Sequence, residues 1–202
     1  MTQRKADGSV MGNILDFPAG ESLMGAMTTQ ESLTPGDWMQ TLSRVLAEEI
    51  GQLYCSEKQL AAALPKMLRA ATDGKLKFIF QIMEIQTGEH IQRVNRLMSM
   101  TDPPCKEKTC LAMEGMLLGV KETIEENASG RDRDLSLIAA AEKITHYQVT
   151  SYCCARDFSQ LLKHDDLMNI LQGVVDDETG MGATLANLTE IVFADNGSSQ
   201  LI

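Results

Sequence analysis

The sequence predicts an all-α protein: an antiparallel four-helix bundle with a short fifth helix in the crossover between its two hairpins. Three observations carry that expectation. In four long stretches, apolar residues recur at spacings of three and four, the period of helices that bury one face. Aromatic residues are only 4% of the chain while Met alone numbers 13, so Leu, Ile, Ala and Met must build the core, a mix that suits helices better than sheets. Beyond residue 40 only Pro65, Pro103 and Pro104 interrupt the pattern.

Residues 1–36 differ from the rest. They mix Gly, Ser, Thr and Met without a sustained period and end at Thr34-Pro35-Gly36, which reads as a flexible arm. The bundle is expected over residues 37–195, with Thr34 or Asp37 capping its first helix, and a polar tail over 196–202. The first long helix runs from about Trp38 to Thr72, with a kink near Pro65. Asp73-Gly74 makes a turn, and a second helix follows from Lys75 to about Met100, stopped by Thr101-Asp102-Pro103-Pro104. A shorter helix spans about Thr109 to Glu126. After a break at Asn127 to Asp132, the third long helix covers Arg133 to Lys163, and His164-Asp165-Asp166 caps the fourth, from Leu167 to Ala194. The tight turns make each hairpin antiparallel. About 30 residues with a helix of their own separate the hairpins, enough to travel the length of a bundle. Two hairpins joined by one long crossover is the ferritin-like connectivity.

Charge and composition remove several function classes. At a formal net charge of −10 the chain lacks the clustered Lys and Arg that nucleic acid requires, so no nucleic-acid partner is expected. No stretch approaches the roughly 18 apolar residues of a membrane helix, and no membrane partner is expected. Arg4 and Lys5 are not followed by the apolar run of a secretory signal. The five cysteines, Cys55, Cys105, Cys110, Cys153 and Cys154, lack paired C-x-x-C spacing and read as reduced thiols of a cytoplasmic protein. There is no Gly-rich phosphate loop and no nucleophile–base arrangement.

The functional clue lies in the polar residues on the apolar stripes. The first long helix reads Leu46, Ile50, Leu53, Glu57, Leu60, Leu64, so Glu57 stands where a leucine belongs. The fourth reads Leu167, Leu171, Val174, Glu178, Met181, Leu185, Leu188, Val192, with Glu178 the intruder. The second reads Leu76, Phe80, Met83, Thr87, His90, Val94, Leu97, and carries His90. The third offers Ile138, Glu142, Thr145, Val149 and Tyr152, flanked by His146. Each intruder lies near the middle of its helix, so antiparallel packing brings them to a similar height.

A lone buried carboxylate costs several kcal/mol unless it is paired or on a metal. A divalent cation such as iron, manganese or zinc answers for two carboxylates and a histidine at one level, with Glu57, His90, Glu142 and Glu178 as the candidate ligands. The competing reading is a metal-free polar network, in which a seam Glu bonds a neighbour such as Tyr54 or Tyr147, and His90 bonds Glu57 or Glu178. The spacing argues against a full di-metal centre, which draws a Glu-x-x-His pair from each of two helices. Thr87 stands three residues before His90, and Lys143 three before His146; no Glu-x-x-His occurs in the chain.

Several strings resemble the bacterial YciE/YciF-like ferritin-like proteins. Tyr54-Cys55-Ser56-Glu57-Lys58-Gln59-Leu60 and Ala63-Leu64-Pro65-Lys66-Met67 are similar to that family's LYxAEKQL…ALPKM opening. Gln86-Thr87 with His90 and Arg93 fits its second helix, and Cys110 to Gly115 its CxAMEG crossover. Leu137 to Ala141 with His146, Tyr147 and Tyr152 fits its third long helix, and Asp177-Glu178 its fourth. The resemblance runs in order from Trp38 to Val192. It implies a ferritin-like, cytoplasmic, stress-associated protein that forms a homodimer. It also marks losses: the family's Glu-His-Tyr-Glu is Thr145-His146-Tyr147-Gln148 here, a late acidic position is Gly182, and Ile85 replaces another acid. The implied site is degenerate. For the dimer, the crossover helix offers Leu111, Met113, Met116, Leu117, Val120 and Ile124, more apolar positions than a narrow stripe needs.

Overall fold

The structure, a computed structural model, describes residues 34–102, 104–126 and 129–197. The expected arm lies outside these residues up to position 33, and the expected tail from position 198. The described residues form five helices: α1 (Pro35–Ala70), α2 (Gly74–Met100), α3 (Leu111–Glu126), α4 (Arg131–Leu161) and α5 (Asp165–Gly197). No strand occurs among them, and none of the helices is long and apolar enough to cross a membrane. Helix boundaries fall within about three residues of those expected, the usual uncertainty of a helix end.

The local sequence accounts for the ends. Pro35 opens α1, where a missing N–H is harmless, and Asp37 sits in the first turn. The helix is continuous through Pro65. Asp73 caps α2, its Oδ1 accepting from the backbone N–H groups of Lys75 and Leu76 at 2.8 and 2.9 Å. Helix α4 closes by a reversed turn in which His164 N–H reaches the Ser159 carbonyl at 2.9 Å and Lys163 takes a left-handed φ of 58°.

Two ties fix the connectivity. The buried Asp134 carboxylate, near the start of α4, accepts the N–H groups of Thr72 and Asp73, each at 2.8 Å, and the Thr72 hydroxyl. The α1–α2 turn therefore lies at the same end of the bundle as the start of α4, and α4 runs against α1. At the other end of the crossover, Lys108 N–H donates to the Gly51 carbonyl at 3.2 Å. A Cβ on Gly51 would stand 2.2 Å from the Lys106 carbonyl oxygen, so only glycine lets the crossover approach α1 this closely. The crossover thus climbs from the level of Gly51 to the level of Thr72, and α3 lies alongside α1 and α4. Helix α1 neighbours α2 and α4, and α5 packs against the same two helices, which is the ferritin-like arrangement.

Along every long helix the buried stripe passes from one apolar cluster to another through a polar step. One cluster gathers Leu60, Leu64, Phe80, Ile138 and Leu185, and the other Leu46, Ile50, Val94, Leu171 and Val174. Between them lie Glu57 on α1, Thr87 and His90 on α2, Thr145 and Gln148 on α4, and Glu178 on α5, all buried. The core is two dry halves with a polar belt at mid-height.

Candidate metal centre

Glu57 is fully buried at 0% exposure. Its Oε1 accepts the Gln148 amide at 2.9 Å and the Tyr152 hydroxyl at 2.7 Å, both from α4. Its Oε2, equally buried, meets no donor. His90 is 1% exposed, and its two ring nitrogens are gripped by consecutive residues of α5. Nδ1 stands 3.3 Å from Glu178 Oε1 and 3.6 Å from Glu57 Oε1, without a well-aimed hydrogen bond to either. Nε2 stands 3.4 Å from Asp177 Oδ2, which in turn accepts Arg93 Nη1 at 2.7 Å. The Tyr152 ring lies edge-on to the imidazole, with centroids 6.4 Å apart.

Burial disfavours the charged form of His90, but the Glu178 and Glu57 carboxylates outweigh it and lift the imidazole to about 10. Glu178 moves upward as well, chiefly because burial penalises its charge, although His90 pulls the other way. Burial and the neighbouring Glu57 charge drive the Tyr152 phenol well above its ordinary range. Here Tyr152 is a donor that stays protonated.

These side chains suit a cation. Glu57, His90 and Glu178 each offer one ligand atom, all within 4.8 Å of one another. Ligand atoms about 2.1 Å from a shared tetrahedral ion stand roughly 3.4 Å apart, and His90 Nδ1 stands 3.3 Å from Glu178 Oε1. The unpartnered Glu57 Oε2 and His90 Nδ1 belong to the same group. Thr145 Oγ1 and Gln148 Oε1, on one face of α4, also lack partners, and both residues are 0% exposed. Four of the five unsatisfied buried side-chain atoms among the described residues lie in this belt.

Glu57, His90 and Glu178 therefore converge as the stripes of α1, α2 and α5 imply. Glu142 does not join them. It is half-buried and accepts the Thr189 hydroxyl at 3.2 Å, and Thr189 lies 11 residues, about 16 Å, along α5 from Glu178. The inward face of α4 is Ala141, Thr145, Gln148 and Tyr152, rotated from the stripe through Glu142 and Val149; His146 is exposed. Tyr147 turns to Cys110, its hydroxyl 3.0 Å from the sulfur, and the tyrosine on Glu57 is Tyr152. Stripe analysis alone missed Gln148 and Asp177. Gln148 had a signal, since it occupies a family acidic position. Asp177 had none beyond its place in the fourth-helix string.

Comparison with known proteins agrees with this architecture. The family described as a domain of unknown function (DUF892) matches residues 41–196. Protein YciF of Escherichia coli K12 is 30% identical over 151 residues, which covers 74% of this chain and 91% of YciF. The crystal structure of the E. coli stress protein YciF aligns at 28% identity with a TM-score of 0.71, over 77% of this chain and 98% of that one. YcfI of Rhodopseudomonas palustris, 23% identical with a TM-score of 0.69 over 78% and 97% of the two chains, shares the fold. With matching sequence over most of its length and the same helical architecture, this chain belongs to the DUF892 family of YciF-like proteins.

Proposed function

We propose that this chain is a stress-associated metal-binding protein of the YciF type, holding one divalent cation (iron, manganese or zinc) on Glu57, His90 and Glu178. The observation that carries this reading is a fully buried carboxylate oxygen, Glu57 Oε2, with no donor, on one of three buried residues that each offer a ligand atom within 4.8 Å of the others. Stress association rests on the description of the E. coli relative as a stress protein.

The surrounding residues have distinct parts to play. Gln148 and Tyr152 hold Glu57 by one oxygen and leave the other free. Asp177, held by Arg93, stands at His90 Nε2, so that Nδ1 is the nitrogen turned to the carboxylates. A bound ion supplies a Lewis-acid centre and, if it is iron or manganese, a redox centre. Two carboxylates balance the charge of one divalent ion. Thr87, Thr145 and Gln148 add no charge for a second, so a single ion is the stoichiometry that fits.

A second reading has its own support. With His90 lifted to about 10, an imidazolium between Glu57 and Glu178 offsets one of the two carboxylate charges without metal, in a buried polar network. Metal content after purification without chelators separates the two. Stoichiometric metal in the wild type, lost in Glu57→Gln/Glu178→Gln, supports the metal site. Metal-free wild-type protein supports the network.

A cytoplasmic setting belongs to the same proposal, resting on five cysteines that all carry free thiols. So does a homodimer, although the crossover helix supports it less than its composition promised. Met113 and Val120 are buried, Met116, Leu117 and Ile124 pack against the chain's own core, and Leu111 remains 74% exposed.

A further inference from the structure

A trough of about 760 Å³ runs between α1 and α3, on the outside of the bundle and away from the polar belt. Its two walls share one register. On α1 it is lined by Gln59, Ala62, Ala63, Lys66, Arg69 and Ala70. On α3 it is lined by Glu114, Leu117, Leu118, Lys121, Ile124 and Glu125, with the buried Val120 among them. Setting aside the buried Val120, both sets follow spacings of three, one and three residues, then three and one, the seam pattern that receives another helix. Because the crossover climbs in the direction of α1, the two seams run parallel and level for about three turns, roughly 17 Å.

The chemistry of the walls describes an occupant. The α1 wall is largely alanine, which lets a backbone come close, and the α3 wall supplies Leu117, Leu118 and Ile124, with Leu118 55% exposed. Lys66 and Arg69 line the α1 side of the trough, while on α3 Lys121 is paired with Glu125 at 3.8 Å, in a chain whose net charge is −10. Lys66 and Arg69 are exposed and form no ion pair among the described residues. At one end the buried Gln59 Oε1 has no hydrogen-bond donor.

We propose that this trough is a docking groove for an amphipathic helix of another protein, one whose apolar stripe is flanked by acidic residues. The paired seams favour a helix over an extended peptide or a flexible amphiphile, and the cationic lining selects the sign of its flanks. The groove is independent of whether the belt binds metal.

The test uses the full chain and two synthetic helical peptides of about four turns. Both carry leucines at the i, i+3, i+4, i+7 positions; one is flanked by glutamates and the other by lysines. Fluorescence anisotropy should report preferential binding of the glutamate peptide, weakened by salt, with the Leu118 and Ile124 methyl resonances shifting on titration. Lys66→Glu/Arg69→Glu, at two exposed positions, should weaken that peptide by about tenfold and reverse the preference. Equal binding of the two peptides, unmoved methyl resonances, or conversion of a dimer to a monomer by the charge-reversed variant would overturn the proposal. The last result would make a second copy the occupant.

Discussion

The apolar clusters and the belt between them occupy equivalent positions on the same four helices, yet they are stabilised in different ways. In the clusters, a residue such as Leu64 or Leu171 gains simply by leaving water, whatever the pH or ionic composition. In the belt, Glu57, His90 and Glu178 fill the same kind of slot at an electrostatic cost, and their stability depends on a bound cation or proton. A seam position taken by a charged residue is therefore conditional. The apolar halves hold the bundle together, and the belt makes part of its stability responsive to solution conditions.

The largest expected effect breaks that compensation. His90→Leu removes the only cationic side chain among the three and leaves Glu57 and Glu178 buried together, so urea unfolding should show a loss of about 3–5 kcal/mol. A loss below about 1 kcal/mol would mean that the carboxylates do not depend on His90. Next, Glu57→Leu, His90→Leu and Glu178→Leu made together convert the belt to cluster chemistry. The metal-free protein should then gain about 1–4 kcal/mol, toward the low end because Tyr152 and Gln148 lose their acceptor. A triple variant less stable than the wild type would show that the polar belt stabilises the fold by itself.

The smallest effect sharpens the comparison through pH. The folded-state value of His90 is about 10 against an ordinary 6.5, so its contribution is fully present below about pH 6.5 and is lost as pH rises through 10. Wild-type stability without metal should fall between pH 7 and about 9.5, while His90→Leu should lose this slope. Parallel profiles for the two proteins would place the titrating group elsewhere.

The same contrast explains which parts were legible in the sequence. The stripes of α1, α2 and α5 read directly, because strongly apolar residues flank Glu57 and Glu178 on both sides, and Met83 and Val94 bracket Thr87 and His90. Helix α4 misled for a physical reason. Ala139, Ala140 and Ala141 carry little hydrophobic contrast, and α3 packs against α4 in addition to the bundle, so the stripe through Glu142 and Val149 competed with the one through Ala141 and Gln148. Both share Ile138, Thr145 and Tyr152, so only packing decides the rotation. The grip of Asp177 on His90 and the close approach at Gly51 depend on elements brought together from distant parts of the chain, and local periodicity contains neither.

The central claim is that the belt is built for one cation. The most direct measurement is calorimetric titration of chelator-treated protein with manganese(II), iron(II) under anaerobic conditions, and zinc(II), counting ions bound per chain. The account predicts one ion per chain for at least one of these metals, with proton release as His90 Nδ1 becomes a ligand, and no binding to Glu57→Gln/Glu178→Gln. Absence of binding by all three metals, or two ions per chain in the belt, would contradict it.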